Sequence, residues 1–125
     1  MRARYVFAVR FRIEPVAPGV TVDPAEFETR VFRRADEPGT DGWLFFRDNL
    51  WRGRLGDGAY FEELTAEALD VPVVDVSYRA FESDREYLTA LEETIADRLD
   101  RFNADSVEEV LSKYLGSSLE VREDW

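Results

Sequence analysis

The chain contains no cysteine and no histidine, and Lys113 is its only lysine. The absence of cysteine excludes disulfides, thiolate metal sites and a cysteine nucleophile. The absence of histidine excludes imidazole bases, the commonest transition-metal ligand and any Ser/His/Asp or Cys/His triad. The side chains left that could take part in catalysis are carboxylates, tyrosines and arginines. Their spacing in the sequence does not by itself bring any set of them together in one site. The sequence therefore indicates no catalytic residue, no metal ligand and no cofactor.

Long apolar segments are missing as well. No run approaches the roughly 18 apolar residues that a membrane span requires. The N-terminus, MRARYVFAVRFRIEP, alternates apolar residues with arginine, so it lacks the continuous apolar stretch of a signal peptide. We therefore expect a cytoplasmic protein with no membrane partner. A chain of 125 residues is long enough for one domain whose hydrophobic core is stable without disulfides or bound metal ions.

Acidic residues dominate what is present: 27 aspartates and glutamates stand against 16 basic residues, of which 15 are arginine. Because 45% of the chain is hydrophobic, the net charge of -11 does not indicate disorder. An acidic surface with almost no lysine is typical of adaptation to molar salt, where a Debye length of about 3 Å screens the repulsion between carboxylates. The alternative is an ordinary acidic domain that binds a basic partner.

The first half of the chain predicts strands. Residues 3–13 alternate strictly between apolar side chains on one face and mostly arginine on the other, which indicates a half-buried strand. Residues 26–34, EFETRVFRR, alternate in the same way. ADEPGTDG then predicts a turn, so that WLFFRDNLWRGR, residues 43–54, forms a third strand and a hairpin with a long, mobile tip.

The second half predicts mainly helices. Its elements, in order, are a helix over 59–69, a strand over 71–81, a helix over 84–102, a helix that begins after Ser106 and ends at Gly116, and a short strand over 118–122. Each of the last two helices is predicted to begin with a capping box. The pairs are Ser83 with Glu86 and Ser106 with Glu109.

Strands followed by helices predict an α+β fold, with a mainly antiparallel sheet of about four strands and helices packed on one face. The charges divide along the same line. Residues 1–54 carry ten arginines and eight acidic residues, a net charge of +2, whereas residues 55–125 carry six basic and nineteen acidic residues, a net charge of -13. We therefore expect an arginine-rich strand half and an acidic, mainly helical half within the one domain.

Arginines recur on the polar face of the first two predicted strands: Arg2, Arg4, Arg10 and Arg12 on the first, and Arg30 and Arg34 on the second. Guanidinium groups bind phosphates through paired hydrogen bonds, so this face is a candidate site for an anionic ligand such as a nucleotide or an RNA segment. The alternative is a ladder of salt bridges to Glu26, Glu28 and Asp75. We favour the ladder, because a nucleic acid held by about four phosphate contacts would lose over four decades of affinity in multimolar salt.

The predicted third strand carries large apolar side chains on both faces: Trp43, Phe45 and Trp51 on one, Leu44, Phe46 and Leu50 on the other. A strand with one solvated face should alternate, so either both faces are covered or one aromatic set contacts a partner. Core packing is the more common reason for such aromatic residues. Polar groups among the aromatic residues are suited to orienting a ligand. On the partner interpretation, the candidate binding residues are Trp43, Arg47, Asn49, Trp51 and Arg52, with Arg10 and Arg12 on the arginine face.

Two segments, GWLFFRDNLWRG and YLGSSLEV, resemble the haloarchaeal family called LWR-salt proteins, whose name describes the Leu-Trp-Arg element at residues 50–52. The resemblance runs along most of the chain. It implies a halophilic archaeal source and a cytoplasmic protein, in keeping with the low lysine and high acid content. It implies no activity, and no catalytic or binding residue is carried over from the family.

Our leading hypothesis is a small non-catalytic interaction module that docks a protein partner or forms a homodimer through the aromatic surface of the third strand. The second hypothesis is recognition of an anionic ligand by the arginine face. Nucleic acid is the less favoured partner, because loose electrostatic binding does not survive multimolar salt. An enzyme ranks third, since its chemistry would rest on carboxylates, tyrosine, arginine or a hard metal.

Overall fold

The computed structural model describes residues 1–124. Its strands are β1 (Ala3–Arg12), β2 (Glu26–Arg34), β3 (Leu50–Trp51), β4 (Arg54–Leu55), β5 (Val73–Ser83) and β6 (Leu119–Val121). Its helices are α1 (Phe45–Asn49), α2 (Gly58–Leu69), α3 (Arg85–Asp97) and α4 (Val107–Leu115), with a 3-10 helix at Leu99–Arg101.

Four of the strands form one sheet in the order β2-β1-β5-β6, and β3 pairs with β4 in a separate short hairpin. β1 pairs antiparallel with β2 and β5, whereas β5 and β6 run parallel. With helices beside a mostly antiparallel sheet, the α+β prediction is confirmed. The arginines of the first half lie largely on β1 and β2, and nine of the nineteen acidic residues of the second half lie on α2, α3 and α4.

One face of the sheet packs against the helices. Tyr5, Phe7 and Val9 of β1 are buried there, and the ring centroids of Phe7 and Phe61 of α2 lie 6.3 Å apart. Burial of each such side chain contributes about 1.5–3 kcal/mol by removing apolar surface from water. The same core takes in residues of the later helices: Leu91, Ile95, Val110 and Leu115.

The other face of the sheet is open. A cavity of about 680 Å³ on this face is lined only by residues of the four strands, and among them Val6, Ala8 and Ala80 form its apolar floor. These three side chains are nevertheless buried, because long neighbours such as Arg30 and Arg79 line the same cavity and shield them with their apolar stems.

The predicted third strand over residues 43–54 is wrong, and the predicted hairpin with the second strand does not form. The segment makes the single turn of α1 and then the short β3–β4 hairpin. Successive side chains of a helical turn point about 100° apart, so both phenylalanines of the turn reach the core in different directions. Phe45 lies 4.6 Å from Tyr5 and Phe46 lies 5.9 Å from Phe102, ring centroid to ring centroid.

The long helix predicted in the second half is confirmed as α3 and the 3-10 helix that follows it. Its predicted cap, Ser83, is wrong, because the carboxylate of Asp84 accepts the capping hydrogen bond from the Tyr87 amide at 2.8 Å. The cap of α4 is confirmed, since the Ser106 hydroxyl accepts a hydrogen bond from the Glu109 amide at 3.1 Å.

Candidate functional site

The Leu-Trp-Arg segment leads into the turn between β3 and β4. Arg52 and Gly53 occupy the two central positions of this turn, with φ values of 51° and 78°. Two consecutive left-handed residues make the turn that best matches the twist of a two-stranded hairpin. Glycine adopts this conformation readily, whereas a left-handed arginine costs about 1–2 kcal/mol. The turn therefore stores strain at Arg52.

The same turn caps the C-terminal end of α4. The Arg52 amide donates a hydrogen bond to the Lys113 carbonyl at 2.8 Å, and the Gly53 amide donates one to the Tyr114 carbonyl at 3.0 Å. The last carbonyls of a helix have no partner within the helix, so these bonds satisfy groups that would otherwise need water or a side chain. The segments NLWRG and YLGSS, which are far apart in sequence, are thus one structural unit.

Trp51 is half exposed on this unit, with 49% of its surface accessible. Its ring meets the Tyr114 ring edge to face, at a centroid separation of 6.0 Å. Two cations flank the indole: the Arg52 guanidinium carbon and the Lys113 ammonium nitrogen each lie 5.6 Å from its ring centroid. Cation–π contacts at exposed sites contribute about 0.5–1 kcal/mol and favour positions of the cations beside the ring.

These residues surround a concavity of about 710 Å³. We call it the Trp51 surface and define it by six of its lining residues: Trp51, Arg52, Glu109, Ser112, Lys113 and Ser117. The Lys113 ammonium donates a hydrogen bond to the Asn103 carbonyl. Within the described chain, no carboxylate lies within salt-bridge distance of Arg52 or Lys113. The Trp51 surface therefore combines an aromatic ring, two cations without a salt-bridge partner, hydroxyl groups and the carboxylate of Glu109, which accepts a hydrogen bond from the Asp105 amide at 2.9 Å.

Trp43, predicted to share this binding surface, lies in the core. It is only 6% exposed, and its ring packs edge to face against Phe46 and Phe102 at 6.3 Å and 6.1 Å. Its ring is therefore not available to a partner. The prediction was wrong because it assumed a strand, in which Trp43 and Trp51 lie on the same face. The segment forms the helical turn of α1 between them, so the two side chains do not share a face.

Arg47 and Asn49, the polar candidates between the aromatic residues, make contacts within the fold. The guanidinium of Arg47 pairs with Asp48 at 2.8 Å and donates a hydrogen bond to the Arg101 carbonyl at 3.3 Å. The side-chain amide of Asn49 donates to the Phe45 carbonyl at 3.0 Å and so closes α1. Neither residue lines the Trp51 surface.

Arg10 and Arg12, the candidates on the arginine face, lie at the end of β1. Arg12 pairs with Glu26 at 3.6 Å, and Arg10 stands opposite Glu28 of β2 and Asp75 of β5 in the strand register. Of the predicted ladder, the Arg12–Glu26 pair forms, whereas in the described part of the chain Arg10 has no carboxylate within 4.0 Å and Glu28 pairs instead with Arg79 at 3.7 Å. The structure does not bring the two arginines to the Trp51 surface.

Sequence reasoning missed Lys113 and the two serines of the Trp51 surface. The signals that would have pointed to Lys113 and Ser117 were the uniqueness of the lysine in the chain and the position of Ser117 directly after Gly116, where the last predicted helix ends. The cation could not be placed beside Trp51, since the contact depends on where α4 ends relative to a distant hairpin.

Two further kinds of site are absent from residues 1–124. No group of three or more acidic side chains is arranged to hold a metal ion. No helix is long and apolar enough to cross a membrane.

No curated protein and no solved structure matches the chain. The family model described as LWR-salt protein matches residues 1–125, which include both segments of the Trp51 surface. The chain therefore belongs to the LWR-salt protein family.

Proposed function

We propose that the protein is a non-catalytic interaction module that docks an acidic segment of a partner protein on the Trp51 surface. The observation that carries this proposal is the half-exposed ring of Trp51, with the cations of Arg52 and Lys113 each 5.6 Å from its centroid. Tryptophan and arginine are the residue types most enriched among the side chains that dominate the energy of protein interfaces.

The surface is rigid before any partner arrives. Backbone hydrogen bonds tie the hairpin turn to the end of α4, and Tyr114 supports the indole from one side. A side chain that is already fixed loses little conformational entropy on binding, so most of the interaction energy is kept as affinity.

The charges of the surface favour an acidic partner. Residues 55–125 carry a net charge of -13, and the Trp51 surface brings Lys113 of that half beside Arg52. Carboxylates of a partner would meet both cations at short range, where salt screens them least. In multimolar salt the burial of the indole supplies the affinity, and the cations supply selectivity.

The backbone of Arg52 supports a role for its side chain. Asparagine or glycine would adopt the left-handed turn position at lower cost, so arginine is not the residue that stability alone favours there. Strained residues of this kind are common at binding sites, where the side chain contributes to function.

The amino-acid composition favours a high-salt environment for this docking. An acidic surface with a single lysine suits the cytoplasm of a halophilic archaeon, where molar salt screens the repulsion between carboxylates. We propose that the protein folds and docks its partner under these conditions.

The test combines light scattering with site-directed crosslinking in about 2 M KCl, a concentration at which long-range charge effects are screened. A photo-crosslinking residue replaces Ser117 on the Trp51 surface, and a second version carries it at Thr89, on the exposed side of α3. We expect one discrete partner to be captured from a cell extract through position 117 and not through position 89. A dimer in light scattering, crosslinked to itself at position 117, would identify the partner as a second copy.

The control variant distinguishes the Trp51 surface from exposed aromatic residues in general. Trp51→Ala should abolish the crosslink, whereas Tyr60→Ala, which removes a ring of similar exposure (51%), should leave it intact. A monomer that yields no discrete crosslink, or a crosslink that survives Trp51→Ala, overturns the proposal.

A further inference from the structure

A separate cavity of about 500 Å³ gathers three arginines from three different elements. Arg33 belongs to β2, Arg98 follows the last residue of α3, and Arg101 belongs to the 3-10 helix. We call this site the arginine cavity and define it by its charged lining: Arg33, Asp41, Asp48, Arg98 and Arg101. It shares no lining residue with the Trp51 surface, so the inference drawn from it is independent of the docking proposal.

Aromatic rings hold two of the three guanidinium groups in place. The guanidinium carbon of Arg33 lies 4.5 Å from the ring centroid of Phe45, and that of Arg98 lies 5.7 Å from the ring centroid of Trp43. A ring contact engages the flat face of a guanidinium group and leaves the N–H donors in its plane free to bind an anion. The burial of Trp43 in the core makes the support beneath Arg98 rigid.

The carboxylates of the cavity do not neutralise these arginines. In the described part of the chain, Arg33, Arg98 and Arg101 have no carboxylate within 4.0 Å, although Asp41 and Asp48 line the same cavity. Asp48 pairs instead with Arg47, at 2.8 Å. In a chain with a net charge of -11, three arginines that share a cavity and lack carboxylate partners form a local site for an anion.

We propose that the arginine cavity binds the phosphoryl group of a phosphorylated small molecule. Guanidinium forks match phosphate oxygens through pairs of parallel hydrogen bonds, and three of them suit a group with two or more negative charges. The cavity volume lies within the range of about 300–1,000 Å³ that is typical of small-molecule sites. Asp41 and Asp48 are placed to accept hydrogen bonds from hydroxyl or amino groups of the same ligand.

The same two aspartates disfavour a nucleic acid. A polynucleotide carries a phosphate at every step, and its backbone needs a continuous track of cations. In the arginine cavity the cations are clustered, and Asp41 and Asp48 would repel the neighbouring phosphates. A compact phosphoryl or diphosphoryl group, as small molecules carry, therefore fits the clustered charges better than a continuous polynucleotide does.

The proposal is tested by isothermal titration calorimetry of the full chain with pyrophosphate, adenosine monophosphate and a phosphoserine peptide as probes. Titrations in about 0.2 M and about 2 M KCl separate the shaped site from loose electrostatic attraction. We expect pyrophosphate and adenosine monophosphate to bind at both salt concentrations, and the peptide to bind at least about tenfold more weakly. In two-dimensional NMR, adenosine monophosphate should shift the amide signals of residues 39–45 and 98–101.

The variants remove exposed arginines only, so the fold is preserved. Arg33→Gln with Arg101→Gln should weaken pyrophosphate binding by at least about tenfold, because hydrogen bonds between charged groups are lost. Arg30→Gln with Arg54→Gln removes the same charge from exposed positions outside the cavity and should change the affinity by less than about twofold.

Three results would overturn the proposal. One is an affinity for pyrophosphate that the Arg33→Gln, Arg101→Gln variant retains. Another is the absence of heat and of NMR shifts with pyrophosphate and adenosine monophosphate in 0.2 M KCl. The third is tighter binding of the phosphoserine peptide, or of a single-stranded oligonucleotide, than of adenosine monophosphate, which would assign the cavity to a macromolecule.

Discussion

The carbonyl oxygen of Arg52 lies 3.0 Å from the position that a Cβ atom would occupy on Gly116. The contact is reciprocal, since a Cβ on Gly53 would lie 3.0 Å from the carbonyl oxygen of Leu115. Two glycines thus allow the hairpin turn to approach the end of α4 closely enough for its amides to reach the last helical carbonyls. The Trp51 surface exists only because this approach is possible.

Gly116→Ala should therefore destabilise the protein. Gly116 has φ 60° and ψ -131°, which an L-residue adopts only under strain, and the added methyl group would meet the Arg52 carbonyl. We expect a loss of about 2–3 kcal/mol in the free energy of unfolding, measured by chemical denaturation at constant salt. Gly58→Ala is the control, because nothing lies within 4 Å of its Cβ position and its place in α2 should make it stabilising by about 0.5–1 kcal/mol.

Arg52→Asn should separate stability from binding. Asparagine tolerates the left-handed conformation at the first central turn position, so the free energy of unfolding should rise by about 0.5–1 kcal/mol. The same change removes one of the two cations beside Trp51 and should weaken partner capture. Arg54→Asn, one step beyond the turn, should bring no gain in stability, because asparagine is disfavoured in strands. An Arg52→Asn protein that is less stable than the wild type would show that the turn is not strained.

Most of the fold could be predicted from the sequence because the local patterns and the packing agree. The alternation in residues 3–13 and 26–34 corresponds to β1 and β2, and the helical spacing of Leu88, Leu91 and Ile95 corresponds to the buried side of α3. Residues 43–54 could not be predicted in the same way. Their aromatic content favours a strand, whereas contacts with Tyr5 and Phe102 stabilise a single helical turn instead.

The candidate site was half visible in the sequence. Trp51 and Arg52 were among the predicted binding residues, and both line the Trp51 surface. Lys113 and the close approach of Gly53 to Gly116 were not visible, because they depend on contacts between segments far apart in the chain. Local patterns carry no information on which end of a helix a distant turn will cap.

Glu82 should make the protein sensitive to acid. Although burial alone would raise its pKa, hydrogen bonds and charges from Arg4 and Arg122 at 2.8 Å hold the pKa of this carboxyl below its ordinary value of 4.5. A lowered folded pKa means that the carboxylate stabilises the fold above pH 4.5 and that this contribution is lost as the pH falls through the folded value.

Glu82→Gln is the variant that tests this role. It should lower the free energy of unfolding by about 1–2 kcal/mol at pH 7, because the bonds to two charged partners are weakened. The difference from the wild type should shrink between about pH 5 and pH 2, since the wild-type carboxyl is then protonated as well. A difference that stays constant over this range would contradict the assignment of the effect to ionisation.

Buried tyrosines should limit the stability of the protein at high pH. Burial raises the pKa of Tyr78 to about 12, although a hydrogen bond with Ser118 at 2.7 Å acts in the opposite direction, and burial also raises the pKa of Tyr5 and Tyr87. The phenols of the unfolded chain lose their protons near pH 10, while those of the folded chain keep theirs. Stability should therefore fall as the pH rises from about 10 toward 12, by about 1.4 kcal/mol per pH unit for each such tyrosine.

Tyr78→Phe removes one of these phenols. The fall in the free energy of unfolding between pH 10 and 11.5 should therefore be shallower by the contribution of one proton, about 1.4 kcal/mol per pH unit. It should also cost about 1 kcal/mol at neutral pH, because the hydrogen bond with Ser118 is lost. Ser118→Ala keeps the phenol but removes both this hydrogen bond and the one that the Ser118 hydroxyl donates to the Leu115 carbonyl, so it should cost at least as much at neutral pH and retain the wild-type slope. Denaturation curves at four or five pH values distinguish the two variants, and equal slopes would mean that Tyr78 reaches solvent in the folded protein.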